Sequence, residues 1–200
     1  MKQVLLVLLL TASTFILKAQ THTNFGVKGG LNIANFKFQN SSTPNSRLAF
    51  HLGALAHVHV ATHWAVQPEL LYSGQGAKST SGNVEYKYKL NYVNVPVILQ
   101  YMTGSGLRLE AGPQLGIMVS AKQKAGSVES DIKNNFKTFE LAWALGLGYI
   151  SNSGFGVDGR YNIGLTDINN QGGGYVKNRV WELGIFYQLK GSTSTYRHVK

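Results

Sequence analysis

The side chains of this sequence best suited to chemistry are three histidines, His51, His57 and His59, and eight charged residues set singly inside apolar segments. On an extended strand His57 and His59 point the same way, a spacing that can supply two ligands to a metal ion, but no third ligand is identifiable beside them. His51 with Ser41, Ser42 or Ser46 would give the base and nucleophile of a lipid-modifying enzyme, yet no spacing singles out one serine. The chain has no cysteine, which excludes a thiol nucleophile, a disulfide framework and a Cys-ligated zinc or iron–sulfur centre. Gly29-Gly30 and Gly172–Gly174 lead into no helical pattern and so are not phosphate loops. The expectation is a protein with no catalytic, cofactor or metal site, whose histidines serve as hydrogen-bonding groups.

The eight isolated charges are Lys28, Glu69, Arg108, Glu110, Glu140, Asp158, Arg160 and Glu182, and each lies inside a run of apolar–polar alternation. In Leu107–Val119, the set Leu107, Leu109, Ala111, Pro113, Leu115, Ile117, Val119 alternates with Arg108, Glu110, Gly112, Gln114, Gly116, Met118. Phe25–Ile33, Leu48–Val60, Phe139–Tyr149, Phe155–Leu165 and Trp181–Leu189 behave alike, and Val66–Gly76 and Tyr92–Tyr101 do so less cleanly. A period of two means strands with one apolar face, eight of them. Most run nine to thirteen residues, longer than the ~5–6 of an average soluble strand and close to the ~9–11 that cross a bilayer at a tilt. The second face is polar or small, as the interior of a narrow closed barrel must be. The fold expected is all-β: an eight-stranded antiparallel up-and-down transmembrane β-barrel.

Composition and the chain ends agree. With 44% hydrophobic and only 14% charged residues in 200, the chain has the apolar content of one folded domain and not of a disordered protein. Met1–Gln20 carries Lys2, an apolar stretch from Val4 to Leu17 and then Ala19, the layout of a signal peptide covering residues 1–19. Its removal leaves 17 basic and 9 acidic side chains. Residues 20–190 are read as the barrel and 191–200 as a C-terminal periplasmic tail. Connections alternate long and short: 37–47, 61–63, 77–89, 102–106, 121–137, 151–154 and 167–179, with short turns periplasmic and long loops outside.

Phe25–Phe36 (FGVKGGLNIANF), Val66–Gly76 (VQPELLYSGQG), Tyr92–Tyr101 (YVNVPVILQY), Leu107–Val119 (LRLEAGPQLGIMV), Trp143–Tyr149 (WALGLGY) and Val157–Ile168 (VDGRYNIGLTDI) together resemble the PorT-type outer-membrane β-barrel domain family, among the small OmpX/OmpA-like eight-stranded barrels. The resemblance covers nearly the whole mature chain in order. It implies a monomeric barrel of a Gram-negative outer membrane, with little biochemistry assigned and one branch tied to a secretion apparatus. Asn94 stands where members commonly carry an acid, and the chain continues past the closing segment Tyr187–Leu189.

Charge then divides by place. The eight isolated charges, three basic and five acidic, face the lumen and are expected to form a paired network plugging it, with Glu140 joining the Arg108/Glu110 and Asp158/Arg160 pairs. The outward loops and their flanks hold a basic patch of Lys37, Arg47, Lys78, Lys87, Lys89, Lys122, Lys124, Lys133, Lys137, Lys177 and Arg179 against only four acids. Its expected partners are outer-membrane lipid and lipopolysaccharide headgroups, with a protein partner through the extracellular loops or periplasmic turns and no nucleic acid. Pro68, Pro96 and Pro113 fall inside strands, where bulges or strand ends would accommodate them. Tyr72, Tyr101, Tyr149, Tyr161, Trp181 and Tyr187 fall on the lipid face as an interfacial belt, with Trp64 beside a short turn. The function expected is structural, adhesive or secretion-accessory; the alternatives are a narrow pore and a lipid-modifying enzyme.

Overall fold

A computed structural model of the chain describes residues 23–39, 44–82 and 84–189. The leader at 1–19, the tail at 191–200 and two of the three candidate serines, Ser41 and Ser42, lie outside these residues. Among the described residues there are nine strands: β1 (Thr23–Phe38), β2 (Asn45–Ala61), β3 (Trp64–Ser81), β4 (Val84–Met102), β5 (Leu107–Ala125), β6 (Val128–Asp131), β7 (Phe139–Ile150), β8 (Phe155–Gly164) and β9 (Val176–Gln188). Neighbours pair antiparallel in chain order, and β1 pairs with β9 to close a ring of eight. The short β6 stands outside that ring, paired only with the end of β5. Closure removes every strand edge within the ring, which is what lets a sheet lie in hydrocarbon.

Alternation places the faces as expected. Phe25, Val27, Leu31, Leu109, Leu115, Leu147, Leu183 and Ile185 are all exposed on the outside, while Lys28, Glu110, Gln114 and Glu182 are buried inside. Aromatic pairs mark both ends of the apolar band. His63 and Trp64 pack on Tyr101 beside a short turn, and Phe50–Tyr72 and Tyr161–Trp181 pair toward the opposite rim. Both ends of the described barrel meet at the short-turn end, where the Leu189 N–H donates to the Phe25 carbonyl.

Two expectations are corrected. The long loop expected over 77–89 is a continuous hairpin, because β3 runs to Ser81 and β4 begins at Val84; the loop expected over 121–137 holds the end of β5, then β6 and a 3-10 turn (Lys133–Asn135). The reason is that the alternation reverses its sense there. Along β4, Val95, Val97, Leu99 and Tyr101 face lipid while Asn94 and Gln100 face the lumen; higher up, Lys87 and Lys89 face outward while Leu90 and Tyr92 are buried. Above the bilayer a strand has water outside and a core inside, so its polarity inverts and a count of lipid-facing apolar residues misses it. The prolines need no bulge. Pro68 pairs with Val97 and Leu71 with Asn94, and Pro96 pairs with Gln114 and Leu99 with Ala111, so the register continues through both.

Candidate functional site

The lumen contains two stacked plugs. The lower is ionic and drawn from β1, β3, β5 and β8. Arg160 donates from Nη1 and Nη2 to both oxygens of Glu69 at 2.9 and 2.7 Å and from Nε to Glu110 at 2.5 Å, and it lies 3.2 Å from Asp158. Lys28 pairs with Asp158 and stands 4.0 Å from Glu69. All five side chains are essentially inaccessible, so each charge must be neutralised by the others. Neutral amides extend the layer: Gln67 donates to Glu69 at 2.7 Å and Gln100 to Glu110 at 2.8 Å. Gly184 makes room for it, since a Cβ there would meet Asp158 Oδ1 at 2.3 Å and Lys28 Cε at 2.9 Å.

The remaining lumen charges sit elsewhere. Arg108 lies toward the short-turn end, donating to Gln100 and Gln188 at 3.3 and 3.4 Å with its guanidinium 5.8 Å from the Phe186 ring. Glu140 does not join the two pairs: its carboxylate accepts from Asn178 Nδ2 at 2.7 Å near Tyr92. Arg160 spans the lumen directly, because its long planar fork reaches two strands at once. Glu182 is buried on β9 opposite Arg160 in register.

The upper plug is apolar. Phe36, Ala77, Leu90, Tyr92, Met118, Ala121 and Ile168 form a buried core, covered by Phe38, Tyr88, Ile132, Phe136 and Val176. Ile168 comes from the β8–β9 loop and Ile132 and Phe136 from the β5–β7 loop, and the sequence pattern gave no sign of either as a lid. The loops are tied to each other: the Lys137 N–H donates to the Ile168 carbonyl at 2.8 Å, the Asn170 N–H to Asn135 at 3.0 Å, and Lys137 pairs with Asp167 at 3.0 Å. Desolvation would raise the Asp167 carboxyl, but hydrogen bonds from the Val176 and Asn169 N–H groups and from Lys137 outweigh it and hold it below its ordinary value.

The histidines do not gather into a site. His51 is buried with Nδ1 2.7 Å from Asn32 Oδ1, whereas Ser46 accepts from Asn35 at 3.5 Å. His57 lies 3.2 Å from Gln67 and packs edge-on against His59. Among the described residues no three of His, Cys, Asp and Glu could share a metal ion.

The basic residues are distributed differently from the expectation, mostly on strand extensions. Lys78, Lys87, Lys89, Lys122 and Lys124 lie on the outer face of β3–β5. Lys37 opposes Lys177, and Asn35 opposes Arg179, across β1 and β9. Lys133 and Lys137 lie in the lid. Arg47 is not in this outward set. It pairs with the lumen-facing Ala34 and donates to the Gln75 carbonyl, because the alternation that turns His51 and Ala49 inward continues through it.

The profile of the outer membrane protein beta-barrel domain family matches residues 18–170. The chain belongs to that family. Among solved barrels, Ail, the attachment invasion locus protein of Yersinia pestis, shares 16% identity at a TM-score of 0.54, covering 84% of this chain and 99% of its own. Neisserial surface protein A shares 17% at 0.53, covering 85% and 99%. Ail has also been solved with the heparin analogue sucrose octasulfate, at 16% identity and 0.52, covering 84% and 99%. These likenesses show the shared eight-stranded fold. No protein of curated function matches this family member in sequence.

Proposed function

We propose that this protein is a closed, non-catalytic barrel of the outer membrane of a Gram-negative bacterium, with a structural, adhesive or secretion-accessory role exercised at its long-loop end. The observation that carries the reading is the doubly filled lumen: an ion-paired layer and an apolar core under tied loops occupy the path a solute would take. An eight-stranded interior is just wide enough to be filled by side chains, and this one is filled by both kinds. The secretion-accessory option rests on the PorT-type motifs, and the adhesive one on the basic collar and the loop surface. Loss of the leader at 1–19 and a monomeric state belong to the same reading.

The test is conductance across planar bilayers together with crosslinking in native outer membranes. The expected result is no unitary current from the folded barrel and a discrete set of crosslinked surface components. Stable, reproducible channels from the wild-type protein would refute the closed-barrel reading.

A further inference from the structure

The strand register brings like charges face to face. Lys78, Lys87 and Lys124 stand directly opposite one another on β3, β4 and β5, and Lys89 stands opposite Lys122 one row nearer the membrane. Opposed like charges on neighbouring strands, with Cβ atoms ~4.5–5.5 Å apart, destabilise a sheet. The carboxylates within reach answer only part of this set: Glu129 binds Lys89 at 2.6 Å and Lys122 at 3.0 Å, and Glu85 binds Lys87 at 2.8 Å. Lys87 and Lys124, with Val84, Glu85 and Gly126, line a concavity of about 220 Å³.

We propose that the outer face of the β3–β5 extension binds phosphate groups of the outer-leaflet glycolipid, with the Lys78–Lys87–Lys124 row and the Lys89–Lys122 pair as its cationic surface. This rests on the reading of the chain as an outer-membrane barrel whose long loops face outward. Height above the bilayer selects the membrane as the source of the anion. The continuous outward apolar run ends at Val93 on β4 and Val119 on β5, so Lys89 and Lys122 come four and three residues later. At ~3.3 Å per residue on strands tilted ~45°, that is roughly 7–9 Å above the hydrocarbon edge. The headgroup layer occupies about the first 5–8 Å, and flexible lysine stems extend across the remainder. Of the acids, Glu85 stands nearer the tip, while Glu129 and Asp131 stand opposite Lys124 and Lys122 on β6 and leave the five lysines in excess over three carboxylates.

The test compares wild type with a Lys78→Gln, Lys87→Gln, Lys124→Gln triple variant. Both are folded into phosphatidylcholine vesicles with and without lipid A, and urea unfolding is followed by tryptophan fluorescence and by heat-modifiable gel mobility. Each lysine near an anionic surface contributes about fivefold in binding. Lipid A is therefore expected to lower the wild-type unfolding constant on the order of a hundredfold more than that of the variant. In plain vesicles the variant should be at least as stable as wild type, because the opposed charges are gone. Equal stabilisation of both proteins by lipid A overturns the site. So does an equal, lysine-dependent gain from inorganic phosphate or sucrose octasulfate in plain vesicles, which would assign the lysines to a soluble anion. A wild-type chain that acquires no heat-modifiable fold in either vesicle overturns the barrel reading and this site with it.

Discussion

Arg160 is the residue on which the ionic plug depends. It makes four contacts within 3.2 Å to three carboxylates, Glu69, Glu110 and Asp158, and is itself buried. Arg160→Ala would leave those three carboxylates facing Lys28 alone, in a space with little water. Breaking one buried ion pair costs about 3–5 kcal/mol; with three acceptors stranded, the loss should lie at the upper end, about 5 kcal/mol. Adding Glu69→Gln removes the bidentate acceptor and one stranded charge. The double variant should therefore be more stable than the sum of the single changes by about 2 kcal/mol, within the usual range for residues in contact. Glu140→Gln is the control: Glu140 accepts from Asn178 and not from Arg160, so that combination should add within ~0.5 kcal/mol. Urea unfolding from lipid vesicles reads all five proteins against wild type, with Trp64, Trp143 and Trp181 on the lipid face as fluorophores. Strict additivity of Arg160→Ala and Glu69→Gln would refute the plug as a coupled unit. Coupling of Arg160 to Glu140 instead would show that the lumen is arranged otherwise.

Leu115, outward and midway along β5, should cost about 2–4 kcal/mol when changed to Arg, while the inward Gln114→Arg should respond to its polar neighbours; equal and negligible effects in the same unfolding assay would refute the face assignment. Gly184→Ala should weaken the Lys28–Asp158 pair by forcing its atoms aside, which would appear as a lowered unfolding midpoint that the outward Gly159→Ala, whose added Cβ meets only Leu183 at 3.7 Å, does not reproduce. Hydrogen bonds from Lys89 and Lys122 hold the exposed Glu129 carboxyl at about 2, down from 4.5. A depressed carboxyl contributes stability that is complete above its ordinary value and lost as pH falls through the depressed one. The protection factors of the Val128–Asp131 amides, taken relative to the intrinsic exchange rate at each pH, should accordingly fall between about pH 4.5 and 2, and protection factors unchanged to pH 2 would count against that clasp.

What the sequence determined by itself was the wall of the barrel. A period of two assigns every residue of a strand to a face whatever the strand pairs with, so Leu115 outside, Gln114 inside and the eight lumen charges could be read without coordinates. The short turns were legible for a similar reason, since polar and glycine residues interrupt the alternation at 61–63, 102–106 and 151–154. Contacts across the lumen were not legible. Glu69 and Arg160 are 91 residues apart, and only strand tilt and register decide that they meet while Arg108 turns toward Gln188 and Glu140 toward Asn178. The strand extensions were hidden because leaving the bilayer exchanges the solvent on the outer face, so the same period of two continues with its polarity reversed. That reversal is how Phe36, Leu90 and Tyr92 come to be a core and Lys87 and Lys89 a surface. Ile132, Phe136 and Ile168 sit in loops without a period at all, and only the closed ring beneath them gives those side chains an apolar place to go.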